Sequence, residues 1–168
     1  MILVEIGIVK KIVHLHNMEH KKFVGGTKLR IKRGKTMLKQ IYLINSDLKM
    51  DKGKIAAQVA HGTVMYMDRI LQHIIQHHAK SDDIYVRYNN WRAITEEDDI
   101  GMMKKIVLKS TEKEIRDIHN KLNSLNIWSC LIFDRRLTQI PEHSLTCLVV
   151  EPLEESQCDS LFGNLKLL

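Results

Sequence analysis

The chain has 168 residues, 44% of them hydrophobic, enough for one globular domain with a proper core and too few for two large ones. No apolar stretch approaches the length that crosses a bilayer. The start Met1-Ile2-Leu3-Val4-Glu5 carries an acid and no Ala-x-Ala cleavage pattern, so the expectation is an intracellular, soluble protein. Cys130, Cys147 and Cys158 form no CxxC pair and leave one over, which argues against a zinc site or a disulfide framework and for core thiols.

The net charge of +6 is unevenly spread. Ten of the 26 Lys and Arg fall in residues 1–40, against Glu5 and Glu19, and the rest of the chain keeps 16 basic and 18 acidic residues, a balance of −2. Nucleic-acid binding by the folded part would therefore need a local patch, while the leader adds a salt-sensitive affinity for phosphate. Residues 1–39 read as a basic leader, either a disordered arm or sequence upstream of a start at Met37. A mitochondrial transit peptide, the other reading, would be richer in Arg and Ser. The domain is expected over 40–168.

Gln40-Ile41-Tyr42-Leu43-Ile44-Asn45 is short, apolar and rich in strand formers, and Asn45-Ser46-Asp47 closes it. A helix is expected from about Gly53 to His78. Ile55, Val59, Gly62, Thr63, Tyr66, Ile70 and Ile74 make its apolar stripe. Lys54, Gln58 and His61 fall in a separate sector of roughly 60° over about 10 Å of helix. A helix N-terminus offers free N–H groups and partial positive charge, so Lys49, Lys52 and Lys54 add full charge where an anion would bind. A Walker loop is ruled out, because Leu48 stands where its first glycine belongs and Ile55 where Ser or Thr belongs. The same lysines equally suit a solvated helix start, with Gln58 and His61 as ordinary surface polar residues.

Ala79–Asp83 is a polar break, and 84–103 carries no clear period. Glu96-Glu97-Asp98-Asp99 reads as a solvated acid run more than a metal site. Lys104–Lys109 is a second strand, Thr111-Glu112-Lys113-Glu114 a capping box, and Ile115, Ile118, Leu122 and Leu125 the buried face of the helix it opens. Trp128–Phe133, ending at Asp134, and Leu145–Val150 are the third and fourth strands. Pro152 starts a last short helix that Gly163 stops. The order β-α-(irregular)-β-α-β-β-α implies an α/β fold, a single-domain three-layer sandwich whose four-stranded, mostly parallel mixed sheet has helices on both faces. Ligands gather beyond the carboxyl ends of such strands, where Asp47, Lys49 and Lys54 follow the first strand and Asp134 the third.

These residues resemble the type 2 peptidyl-tRNA hydrolases of archaea and eukaryotes. The first-helix signature of that family, D-L-x-M-x-x-G-K-x-A-A-Q-x-x-H, is filled by Asp47-Leu48, Met50, Gly53-Lys54, Ala56-Ala57-Gln58 and His61. A second segment, D-A-G-x-T-Q-I followed by S-x-T and a strand ending G-P, is matched by Asp134, Thr138-Gln139-Ile140, Ser144, Thr146 and Pro152. The closing Gly163-Asn164-Leu165-Lys166-Leu167 resembles the G-x-L-K-L tail. Arg135-Arg136 replace Ala-Gly, Glu142-His143 replace Pro-Gly, and Glu151 replaces the glycine before Pro152. The stretch 72–103 is longer than the usual family connection, which adds a lid or a surface excursion.

The resemblance implies hydrolysis of the ester joining a peptide to the ribose of the tRNA 3′ adenosine, in the cytoplasm. It implies tRNA as partner, no metal or other cofactor, no membrane, and a homodimer as one possible assembly. By that resemblance Asp134 orients or deprotonates water, its plain alternative being an aspartate salt-bridged to Arg135, Arg136 or Lys54, and Thr138 and Gln139 position substrate or water. Lys49 and Lys54 hold phosphate or oxyanion, Lys52 binds substrate, and Gln58 and His61 complete the wall, His61 as a proton relay. Arg135 and Arg136 are placed to contact the acceptor stem. The alternative is a weak or inactive relative that binds RNA or a protein partner, and another is a small-molecule phosphate enzyme with a deep pocket at Gly53. Retention of the lysine signature, which some divergent relatives lose, argues for activity.

Overall fold

Two β-hydrogen-bonding partners flank the first strand, and their directions set the whole architecture. In the computed structural model the described residues are 38–77, 83–92, 103–134 and 140–168, all within the compact unit 36–168. The elements run β1 (Gln40–Asn45), a single 3₁₀ turn (Ser46–Leu48), α1 (Lys52–His77), α2 (Asp83–Arg92), β2 (Lys105–Ser110), α3 (Glu112–Ser124), β3 (Ser129–Phe133), β4 (Leu145–Val150) and α4 (Glu155–Phe162).

The sheet has the order β2-β1-β4-β3. β1 and β2 are parallel, whereas β4 is antiparallel to both β1 and β3. The expectation of a mostly parallel sheet is thus corrected to a mixed sheet with one parallel pair. The reason is topological. Helical crossovers do make β1, β2 and β3 point the same way, but the short β3–β4 link forces β4 to run back, and β4 inserts between β1 and β3.

Alternation along β1 sorts its side chains into two buried clusters. Ile41 and Leu43 pack with Leu108, Ile115 and Leu122, and with Cys158 and Phe162 of α4. Tyr42 and Ile44 pack with Met50, Cys147 and Val149, and with Ile55 and Val59 of α1. α1 comes so close to the sheet at Gly62 that a Cβ there would lie 3.0 Å from Val149 Cβ and 3.3 Å from Tyr42 Cε1. The capping box of α3 is present, with Glu114 held below the usual carboxylate range by the Thr111 N–H and hydroxyl. α4 begins later than expected: Leu153 instead bridges to Lys39, and Glu154 caps the helix reciprocally with Gln157. Cys147 and Cys158 are buried and Cys130 half-buried, all three free thiols.

The stretch 84–103, expected to be irregular, contains α2. Its pattern is faint because Tyr85 and Val86 fall off the apolar stripe, but Ile84, Tyr88 and Trp91 fall at helical spacing and meet Tyr66, Ile70 and Ile74 of α1. Trp91 is buried edge-on to Tyr66, with ring centroids 5.8 Å apart, and its indole N–H donates to the Lys104 carbonyl at 3.1 Å. Arg87 brings α2 to Glu151, 3.7 Å away, which Arg69 also holds at 2.9 Å. α2 therefore docks on the far half of α1, about 18 Å along the helix from Lys54, and this part of the long connection does not cover the start of α1. Trp91→Ala is expected to lower the unfolding free energy by about 3–5 kcal/mol in urea titration. A loss under about 1 kcal/mol would show that Trp91 does not anchor α2.

Candidate functional site

The carboxyl ends of β1, β2 and β3 and the start of β4 share one edge of the sheet, as their directions require. The chain leaving β1 is tied down there by its own polar side chains. Asn45 Nδ2 donates to the Leu145 carbonyl at 2.7 Å, and its Oδ1 accepts from the Asp47 N–H. Asp47 Oδ2 in turn accepts from Glu112 N–H at 2.9 Å, which fixes the start of α3. Lys49 then adopts the left-handed conformation, φ 48° and ψ 40°, with its side chain exposed. A lysine held there is strained by about 1–2 kcal/mol relative to ordinary helical or extended backbone.

The start of α1 differs from the expected free anion site. Asp51 Oδ1 already accepts from Lys54 N–H at 2.8 Å, and the Asp51 carbonyl accepts from Ile55 N–H at 3.0 Å. A carboxylate thus caps this terminus and offsets its dipole. Gly53 is exposed, and a Cβ there would meet only Asp51 Oδ1, at 3.5 Å, so no deep pocket surrounds it. What the terminus supplies is the side chain of Lys54, which turns across the sheet edge. Its Nζ lies 2.5 Å from Asp134 Oδ2, and the two side chains are only 13% and 12% exposed.

Asp134 is held by the strands on which it sits. Its N–H donates to the Ser144 carbonyl at 3.0 Å, and its carbonyl accepts from His143 N–H at 2.9 Å, extending the β3–β4 ladder one step past Phe133. Ile132 faces the α1 side, and two residues on, Asp134 repeats that side. Beside it the ladder carries a bulge: Ile132 pairs with Cys147 but Phe133 with Leu145. The extra residue, Thr146, is thereby turned toward α1, as bulges do. Its hydroxyl lies 2.8 Å from Gln58 Oε1 and 2.9 Å from the Ile132 carbonyl. One hydroxyl proton cannot serve both; a Gln58 amide oriented with Nε2 toward Thr146 would let the hydroxyl donate to Ile132.

The structure thus brings Lys54, Gln58, Asp134 and Thr146 together. Lys49 and Lys52 are exposed at the same sheet end, and His61 is exposed one turn beyond Gln58, with no hydrogen bond to these groups among the described residues. Arg135, Arg136, Thr138 and Gln139 lie outside the described residues, as do Glu96–Asp99. Thr146 is the site member that sequence reasoning left unplaced, because its direction depends on the bulge. Chemically, the pair can do two things at once: a carboxylate can take a proton from a nucleophile while an ammonium donates to a developing oxyanion.

Comparison with known proteins agrees on one family. The family model described as "Peptidyl-tRNA hydrolase PTH2" matches residues 38–168. The chain is 35% identical over 132 residues to the "Peptidyl-tRNA hydrolase" of Saccharolobus solfataricus, covering 79% of this chain and 100% of that one. It is 32% identical over 130 residues to that of Thermococcus sibiricus (77% and 97%), and 32% over 137 to that of Methanothermobacter thermautotrophicus (78% and 100%).

Because a glycine carries no penalty in the left-handed region, Lys49→Gly is expected to raise stability by about 0.5–1 kcal/mol. Chemical denaturation measures this, and unchanged or lower stability would show that Lys49 is not strained.

Proposed function

We propose that this chain, which belongs to the peptidyl-tRNA hydrolase family PTH2, hydrolyses the ester between a peptide carboxyl and the terminal ribose of tRNA. The observation that carries the reading is the 2.5 Å contact between Lys54 Nζ and Asp134 Oδ2 at the shared end of the strands. Water adds to the ester carbonyl and Asp134 accepts its proton. Lys54 donates to the oxyanion of the tetrahedral intermediate, which collapses by breaking the bond to the ribose oxygen. That oxygen takes up the proton, so peptide acid and free tRNA leave. Gln58, held by Thr146, shapes the wall beside this pair. Lys49 and Lys52 attract the tRNA backbone, His61 relays protons at the rim, and Thr138 and Gln139 position substrate and water. Arg135 and Arg136, which follow Asp134 directly, contact acceptor-stem phosphates. The reaction takes place in the cytoplasm and needs no cofactor in this reading.

Release of an N-acetylated amino acid from tRNA tests the reading. Asp134→Asn is expected to lower kcat by about 10²–10⁴-fold and Lys54→Ala by about 10²–10³-fold, with circular dichroism confirming that both remain folded. Activity of either within tenfold of the unaltered protein would remove that residue from the chemistry. Tight tRNA binding by the unaltered protein without any release would overturn the hydrolase reading. Arg136→Glu is expected to raise KM and to flatten the dependence of log(kcat/KM) on log salt by about one unit; an unchanged slope would show that Arg136 does not touch the stem.

A further inference from the structure

We infer that Lys109, on the edge strand β2, is a substrate-phosphate contact, the far end of a basic rim that crosses the sheet from Asp134. The inference rests on the proposed tRNA substrate and extends it to a residue outside the helix signature. Lys109 pairs in register with Ile44. Paired residues of parallel strands point to the same side, and Ile44 belongs to the cluster under α1. Lys109 is nonetheless exposed, because α1 lies chiefly over β4, β3 and β1 and leaves the β2 margin open. Its ammonium therefore shares a face with Lys49, Lys52 and Lys54 at the same sheet end.

Two observations separate this lysine from an ordinary edge residue. Lysines on edge strands commonly block pairing with another chain, but here that edge is already closed. Lys109 N–H donates to the Lys166 carbonyl, Leu168 N–H donates to Val107, and Leu108 bridges to Leu167. Lys109 also makes no ion pair among the described residues. Of the carboxylates at this end of the sheet, Asp47 accepts from the Glu112 N–H, Glu112 pairs with Arg116, Glu114 accepts from Thr111 and Asp51 from the Lys54 N–H. The order β2-β1-β4-β3 places Lys109 three strand spacings from Asp134, about 14 Å. At the 3.4 Å rise of a stacked strand that is roughly four nucleotides. With the ester at Lys54 and Asp134, the unpaired end of the acceptor arm then runs along this edge, and Lys109 meets a phosphate behind it.

The test measures kcat and KM for N-acetylaminoacyl-tRNA from 50 to 200 mM KCl. The proteins are the unaltered chain, Lys109→Glu, Lys109→Arg, and Lys121→Gln, which removes an exposed charge on α3. Lys109→Glu is expected to raise KM about three- to tenfold at the lowest salt and to flatten the slope of log(kcat/KM) by about one unit, with kcat within twofold. Lys109→Arg restores both values, and Lys121→Gln behaves as the unaltered chain. KM and slope for Lys109→Glu equal to those of Lys121→Gln would overturn the inference. Absence of turnover in the unaltered chain would sink the hydrolase reading alone. Anisotropy of labelled uncharged tRNA then decides Lys109 by the same slope, a flatter one supporting it and an unchanged one overturning it.

Discussion

Everything at the candidate site depends on one half-buried ion pair, Lys54 with Asp134, whose partners are 80 residues apart in the chain. Removing either charge would take from the other, itself largely shielded from water, its close counter-ion, which costs more than the pair contributes when intact. Two separate constraints set up its ends. The Asp51 cap fixes where α1 begins, and so which lysine reaches over the edge. The ladder bonds from Asp134 to His143 and Ser144 fix where β3 ends. The first lies on the helix and the second on the hairpin.

Two of the glycine losses have a physical account. Where the family pattern has Pro-Gly, His143 stands at φ 60°, the left-handed region a glycine would occupy without strain. The hairpin keeps its shape and stores a modest penalty, while His143 N–H still holds the Asp134 carbonyl. Glu151 is handled differently. Its carboxylate is 7% exposed and meets Arg69, Arg87 and the Trp128 N–H, with Arg69 also stacked 5.1 Å above the Trp128 ring. Arg87 belongs to α2, the helix in the lengthened connection. The acid and the extra helix thus satisfy each other: a buried carboxylate requires cations, and α2 delivers one.

Much of this was legible in the sequence because it is written in local periods. The strand Gln40–Asn45 and the strand Leu145–Val150 carry continuous apolar runs, and the α1 stripe and the Thr111 capping box carry the helical period. Lys54 and Asp134 were legible as neighbours at one end of the sheet from the rule that ligands gather beyond strand ends. Three things were not legible, each for a nonlocal reason. The antiparallel insertion of β4 depends on which neighbour a strand chooses. α2 is held by one tryptophan in an aromatic cluster, with little amphipathic pattern of its own. The inward turn of Thr146 depends on a one-residue slip between two strands. The free N–H groups expected at the start of α1 are partly taken up by Asp51, one residue before the helix, whose side chain and carbonyl accept from Lys54 and Ile55.

An apolar stripe alone would not place Lys54 accurately. Its repeat of three and four residues allows α1 to slide by one turn, 5.4 Å, and still present similar side chains to the sheet. Directional contacts remove that freedom. Lys54 meets Asp134, Gln58 meets Thr146, and Arg69 meets Glu151 along one flank of the stripe, while Thr63 meets Tyr42 on the other. Burial pushes the Tyr42 phenol up to about 12, so it stays protonated. With the Gln40 amide turned so that Nε2 donates to Tyr42, Tyr42 donates to Thr63 and Thr63 to the Val59 carbonyl. A one-turn slip would break all four ties and leave buried polar groups unpaired at about 1–3 kcal/mol each. The position of Lys54 against Asp134 is therefore fixed less by its own attraction than by three contacts further along α1, two neutral hydrogen bonds and the Arg69–Glu151 ion pair, which hold the start of the helix in register.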